Sequence, residues 1–174
     1  MLEHTEPKNR TDKIWRAPRA MFVVDTETRT DSTQRLTFGS YRFFVDDELQ
    51  EEGLFYADDL SKRERKTLEG YVDRWNKRAS KTSEIPLLLL TRREFLKKFY
   101  KAVYKSRALL VGFNLPFDLS RLAIAARPAR GRFAGGYSLA LWSYTKEGVE
   151  RPSTRRPSIG IKPVLSQESL SSLP

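Results

Sequence analysis

The sequence contains no cysteine and one histidine, His4. The first absence excludes a disulfide framework, thiolate zinc sites and cysteine nucleophiles, and it fits a reducing, cytoplasmic setting. The second removes most imidazole chemistry, since His4 sits in a polar N-terminal stretch, Met1 to Arg19. That stretch has no apolar core of a signal peptide, and nowhere is there an apolar run long enough to span a bilayer, so no membrane association is expected. With thiolate absent and imidazole nearly so, a bound metal would be held by oxygen, which points to Mg²⁺ or Mn²⁺. Internal repeats are missing too, and biased composition is confined to the polar start and a Ser-rich end, Ser166 to Pro174.

What is present suits one folded domain. The 174 residues are 39% hydrophobic and 11% aromatic, enough for a working core. A charged fraction of 31% and a mean hydropathy of −0.57 leave a very polar surface. The net charge of +10 and a pI near 9.9 favour anionic partners, nucleic acid first among them. The charge is uneven: from Leu119 onward nine Lys or Arg face three Glu, a balance of +6. Arg127, Arg130, Arg132, Arg151, Arg155 and Arg156 supply most of it, in Gly- and Pro-rich loops that are otherwise a solubilising surface.

Along the chain, strand and helix patterns alternate. Met21 to Asp25 is an apolar run ending in an acid, the pattern of a central strand buried on both faces. Leu36 to Val45, rich in aromatic and β-branched residues, predicts a second strand, with Gly39 a bulge or a close approach, and Gly53 to Tyr56 a short third. Ser61-Lys62-Arg63-Glu64 is a capping box, followed by Leu68, Tyr71, Val72 and Trp75 at helical spacing. Thr91-Arg92-Arg93-Glu94 is another, with Leu90 and Phe95 as a hydrophobic staple and Leu96, Phe99, Tyr100 and Val103 continuing the stripe. Ala108 to Phe113 predicts a buried strand. Pro116 suits the first turn of a helix whose apolar side is Leu115, Leu119, Leu122, Ala123 and Ala126. Tyr137 to Tyr144 and, more weakly, Ser158 to Val164 read as later strands. The order β-β-β-α-α-β-α-β predicts a mixed α/β domain with an antiparallel front.

Two acidic segments stand at strand ends. Asp25 and Glu27 flank Thr26, and if the strand continues they project from one face, where they would repel each other unless a cation or proton intervenes. If it stops at Asp25, both simply open a solvated loop. In Val111-Gly112-Phe113-Asn114-Leu115-Pro116-Phe117-Asp118 a second buried strand runs into a turn and helix. There Asp118 would also complement the helix N-terminus, and Asn114 would serve as an N-cap.

Taken together, Asp25-Thr26-Glu27 and Asn114-x-x-Phe117-Asp118 resemble the first two motifs of the DEDD 3′-5′ exonucleases. These belong to the ribonuclease H-like superfamily. The Gly112-Phe113-Asn114 turn gives the pair the flavour of family-B DNA polymerase proofreading domains, and the resemblance runs from about Met21 to Ala126. It implies a ribonuclease H-like mixed sheet of antiparallel front strands and later parallel strands, flanked by helices, over residues 20–165. A polar extension (1–19) and a Ser-rich tail (166–174) would lie on either side.

The resemblance also implies a hydrolase in which Asp25, Glu27 and Asp118 help hold two Mg²⁺ or Mn²⁺ ions about 4 Å apart. Thr26 and Asn114 would orient the substrate, a single-stranded DNA or RNA 3′ end. Phe113 and Phe117 would stack on a terminal base, and Arg127, Arg130 and Arg132 would meet the phosphates. The family pattern also requires a later Asp preceded by a Tyr or His. Asp118 is the last aspartate, and of the acids after it, Glu147, Glu150 and Glu168, none has a Tyr or His at the family's spacing, since Tyr144 upstream of them reads as a strand residue. The expectation is therefore a domain incomplete before its third motif, with weak or no nuclease activity. The alternatives are a degenerate module that binds nucleic acid without cutting it and, ranking lowest, a ribonuclease H-like endonuclease.

Overall fold

The computed structural model describes residues 18–153 and 155–162. His4, Glu168, the Ser-rich tail and all of the polar extension except Pro18 and Arg19 lie outside them. The chain folds as a mixed α/β structure around a five-stranded sheet in the order β4-β3-β2-β1-β5. Strands β1 (Ala20–Thr28), β2 (Leu36–Val45) and β3 (Glu48–Tyr56) form an antiparallel meander. Strand β4 (Leu87–Thr91) joins β3 in parallel at one edge, and β5 (Leu109–Val111) joins β1 in parallel at the other.

Local chemistry explains the meander. Asp46 and Asp47, between β2 and β3, both take positive φ (51° and 65°). That pair of left-handed residues makes the two-residue turn whose twist matches the flanking strands, and Asp tolerates it well. Arg19 pairs with Asp46 and ties the start of β1 to this turn. Gly39 is a close approach, not a bulge: a Cβ there would sit 2.3 Å from the Phe55 ring and 2.6 Å from the Asp25 carbonyl oxygen. The register shifts fall elsewhere, at Glu27/Thr28 and Phe43/Phe44.

Both capping boxes form. Ser61 caps α1 (Lys62–Thr82) and Thr91 caps α2 (Arg92–Phe99), with Glu64 and Glu94 reciprocating. Helix α2 continues as a π-helical turn through Tyr100–Lys105. It covers one face of the sheet and supplies Phe95, Leu96 and Phe99 to a core shared with Phe22, Val24, Tyr41 and Phe55. Phe95 stacks on Phe55 with ring centroids 3.7 Å apart. Helix α1 is clamped to β4 by Asn76, whose side chain accepts from the Leu87 N–H and donates to the Leu87 carbonyl (2.8 and 3.0 Å).

Three expectations need correction. The expected element order has no strand between the two capped helices, yet Leu87–Thr91 is one: four leucines after Pro86 carry no period, and pairing in parallel with β3 makes them a strand. Helix α3 spans Leu115–Leu122, and Ala126 belongs to β6 (Ala125–Pro128). The helix stops where Arg92 of α2 takes the Leu122 carbonyl (2.8 Å), a guanidinium capping a helix C-terminus. The stretch from Tyr137 to Tyr144 is broken by the buried Leu141 and Trp142 into β7 (Tyr137–Ala140) and β8 (Ser143–Lys146). Strands β6 and β7 join β10 (Ile159–Ile161) in a separate three-stranded sheet, and among the described residues β8 pairs only with β9 (Val149–Pro152). The strands after α3 therefore do not extend the main sheet.

Replacing Phe95, fully buried against the rings of Phe22, Tyr41, Phe55 and Phe99, with Ala should cost about 3–5 kcal/mol in denaturant unfolding, whereas Tyr71→Ala, half exposed on α1, should cost under about 1 kcal/mol. The Glu94 carboxyl is held below its ordinary pKa, first by the Thr91 N–H and then by the Thr91 hydroxyl. Its contribution is thus present above the usual Glu range and lost as pH falls through the lowered folded value. An acid titration of Glu94→Gln should show a shallower loss of stability than the wild type.

Candidate carboxylate site

Strand β1 does not stop at Asp25 but runs on to Thr28. Its alternation then puts Phe22, Val24 and Thr26 on the covered face and leaves Asp25 and Glu27 exposed on the other. Strand β5 ends at Val111, opposite Val23, so β1 extends beyond its parallel neighbour. The chain leaves β5 at Gly112, whose backbone passes so close to β1 that a Cβ would lie 2.9 Å from the Val24 carbonyl oxygen. From there it turns into α3, with Pro116 in the first turn as its fixed φ favours.

This path delivers Asp118 to β1. The side chain is 2% exposed, and its Oδ1 accepts from the Thr26 N–H (3.2 Å) and the Thr26 hydroxyl (2.6 Å). The two acidic segments, 92 residues apart in sequence, meet at the carboxyl ends of two adjacent parallel strands. Oδ2 of Asp118 is buried without a hydrogen-bond partner. A carboxylate oxygen is costly to bury without a partner, and a water, a proton or a cation relieves it.

The surrounding residues divide by exposure. Asn114 occupies the N-cap position of α3 but makes no side-chain cap, leaving its amide exposed. Phe113 is fully exposed at the strand end, 106% of its reference surface, so core packing is not its role. Phe117 is partly buried, with the Arg121 guanidinium 4.6 Å above its ring. Asp25 opens on a cavity of about 310 Å³ between the sheet and α1, which it shares with Ser40, Arg42, Trp75 and the buried Glu52. Glu52 is neutralised by Arg42 at 3.0 Å.

The donors fit a hard cation in type, all carboxylate oxygen, but not yet in arrangement. Among the described residues no group of three Asp, Glu or His side chains converges well enough to hold an ion. Asp118 is anchored to Thr26 while Asp25 and Glu27 face the other way. Neither later Glu within the described residues supplies a fourth donor: Glu147 sits in the β8–β9 turn at positive φ beside Lys146, and Glu150 accepts from Ser143. No protein-family model matches the chain, no curated protein matches it in sequence, and no solved structure matches it in fold.

The arginines expected to meet phosphate are all exposed, and they part company. Arg127 lies on β6 and lines a cleft, Arg130 precedes the 3₁₀ turn Gly131–Phe133, and Arg132 packs on Phe133. The Arg42–Glu52 pair was not foreseen from the sequence. Period-2 alternation places both on one face, but the burial of Glu52 depends on distant packing.

The Thr26–Asp118 contact predicts strong coupling. Thr26→Val, which removes the hydroxyl at nearly constant volume, should cost about 1–3 kcal/mol, and under about 1 kcal/mol once Asp118→Leu has removed the acceptor. Additive losses in that double-mutant cycle, read by urea denaturation, would contradict it.

Proposed function

We propose that this chain is a ribonuclease H-like domain of the DEDD 3′-5′ exonuclease type, built to engage the 3′ end of a single-stranded nucleic acid with divalent metal. The observation that carries the reading is the Thr26–Asp118 hydrogen bond, which joins Asp25-Thr26-Glu27 to Asn114-x-x-Phe117-Asp118 where β1 and β5 end. Sites in sheets with parallel strands gather outside those carboxyl ends, where side chains from neighbouring strands and the following helix converge. An antiparallel β1-β2-β3 meander with a parallel neighbour beside β1 is also the sheet expected of the superfamily.

The parts divide the work. Asp25, Glu27 and the free Oδ2 of Asp118 are the oxygen donors available to Mg²⁺ or Mn²⁺, and such an ion, when bound, activates water and offsets charge at phosphorus. Thr26 fixes the Asp118 carboxyl, so one oxygen is committed to the fold and the other is left for a ligand. Phe113 presents an exposed ring for a terminal base, since base stacking needs an unpacked aromatic face. Asn114, free of capping duty, offers an amide beside it. Completing a two-ion site needs a further carboxylate and a closer approach of the Asp25 face, so the rate expected of this chain is low.

A second reading, a module that binds nucleic acid without cutting it, is favoured by the exposed arginines around β6 and by the dispersal of the carboxylates. A 5′-labelled single strand incubated with Mn²⁺ separates the two. The first reading expects slow shortening from the 3′ end, lost in EDTA and reduced about 10²-fold or more by Asp25→Ala. A strand retarded on a gel but never shortened supports the second. Shortening that Asp25→Ala and Asp118→Ala leave intact would overturn the first.

A further inference from the structure

Away from the carboxylates, the two small sheets and the loop before β10 enclose a cleft of about 470 Å³. Arg127, Arg151 and Arg156 line it together with Ser138, Ser153 and Ser158, and no carboxylate does. The sheet registers explain the grouping. Arg127 faces Ser138 across β6 and β7, while Arg151 faces Tyr144 across β8 and β9, so each hairpin presents a guanidinium beside a hydroxyl. Arg156 reaches in from the loop, its guanidinium stacked 4.7 Å over the Tyr100 ring. None of the three forms an ion pair with an acid among the described residues, although nine other such pairs occur.

We infer that this cleft is a phosphate-binding exosite that holds the backbone of a single-stranded nucleic acid. Three positive charges in a concave, acid-free lining concentrate anions, and guanidinium matches phosphate oxygens two at a time. The hydroxyls add neutral donors, and stacking on Tyr100 holds Arg156 in place before any ligand arrives. The partly exposed Tyr144 at the mouth supplies an aromatic face, which an isolated inorganic phosphate would not use and a base would. Arg130 and Arg132, equally basic in sequence, lie outside the cleft. The inference deepens the reading of a nucleic-acid-directed chain and rests on it only for the choice of polyanion, because the cleft shares no residue with the carboxylate site.

The test is fluorescence anisotropy of a labelled oligothymidylate in EDTA over a series of salt concentrations, with the full chain. Arg127→Gln/Arg151→Gln/Arg156→Gln should weaken binding roughly tenfold or more and reduce the slope of log K against log salt by about 2, given about 0.7 per single-strand phosphate. A charge-matched control on α1, Lys66→Gln/Arg74→Gln/Lys77→Gln, should change both far less. Should the triple variant unfold, Arg127→Gln/Arg151→Gln touches only exposed side chains and should remove about two-thirds of the slope change. Equal losses in cleft and control variants, or wild-type binding by the cleft variants, would overturn the exosite. So would saturation of the cleft by inorganic pyrophosphate without displacement of the strand, which would assign it to a small phosphorylated ligand. Failure of the exonuclease reading is seen separately, as the absence of Mn²⁺-dependent shortening by a chain whose strand binding is intact.

Discussion

The exonuclease-type reading of this protein depends on one buried carboxyl group. Asp118 is almost wholly out of solvent, and the Thr26 N–H and hydroxyl are the partners that make its burial tolerable. That requirement fixes the geometry around it. The turn at Gly112 must run hard against β1, α3 must begin at once, and β5 must stop short so that the Thr26 N–H is left for a side chain. The contact satisfies only one carboxyl oxygen. A buried carboxyl oxygen with no protein partner calls for a water, a proton or an ion, and the proposed site assigns an ion to it.

The same economy of partners distinguishes the two polar regions of the molecule. Around the sheet, charges are matched locally: Arg42 with Glu52, Lys98 with Glu51, Arg92 with Asp58. Glu51 also accepts from Tyr41, whose hydroxyl pKa is pushed up by burial and then by that carboxylate. In the cleft between the small sheets the arginines have no such partners among the described residues. A basic surface with matched charges is a solubilising coat, while unmatched guanidiniums grouped in a concavity favour an external anion.

Much of the architecture is legible in the residues because it is locally encoded. The β2 range follows from its β-branched and aromatic composition, and both capping boxes form from four-residue patterns, since each is satisfied within one helical turn. What escaped reading is non-local. Four successive leucines become β4 only by pairing with β3, and α3 ends at Leu122 because an arginine from another helix meets its carbonyl. The acids Asp25, Glu27 and Asp118 were identifiable by type and position, and the first two are on one face as their spacing implied. The direction in which Asp118 faces was not legible, for its partner lies 92 residues away. Nor was the grouping of Arg127, Arg151 and Arg156, which requires two separate hairpins and a loop to come together.

The most direct test of the central claim, that the β1 and β5 ends form a divalent-ion site, is amide NMR during titration with substoichiometric Mn²⁺. Paramagnetic broadening falls off steeply with distance and maps the ion without requiring turnover. The account predicts that the amides of Thr26, Glu27, Asn114, Leu115, Phe117 and Asp118 broaden first and that Asp118→Asn abolishes the effect while the spectrum stays folded. Broadening centred on other acids such as Asp58 and Asp59, or none at concentrations that saturate ordinary carboxylate sites, would contradict it.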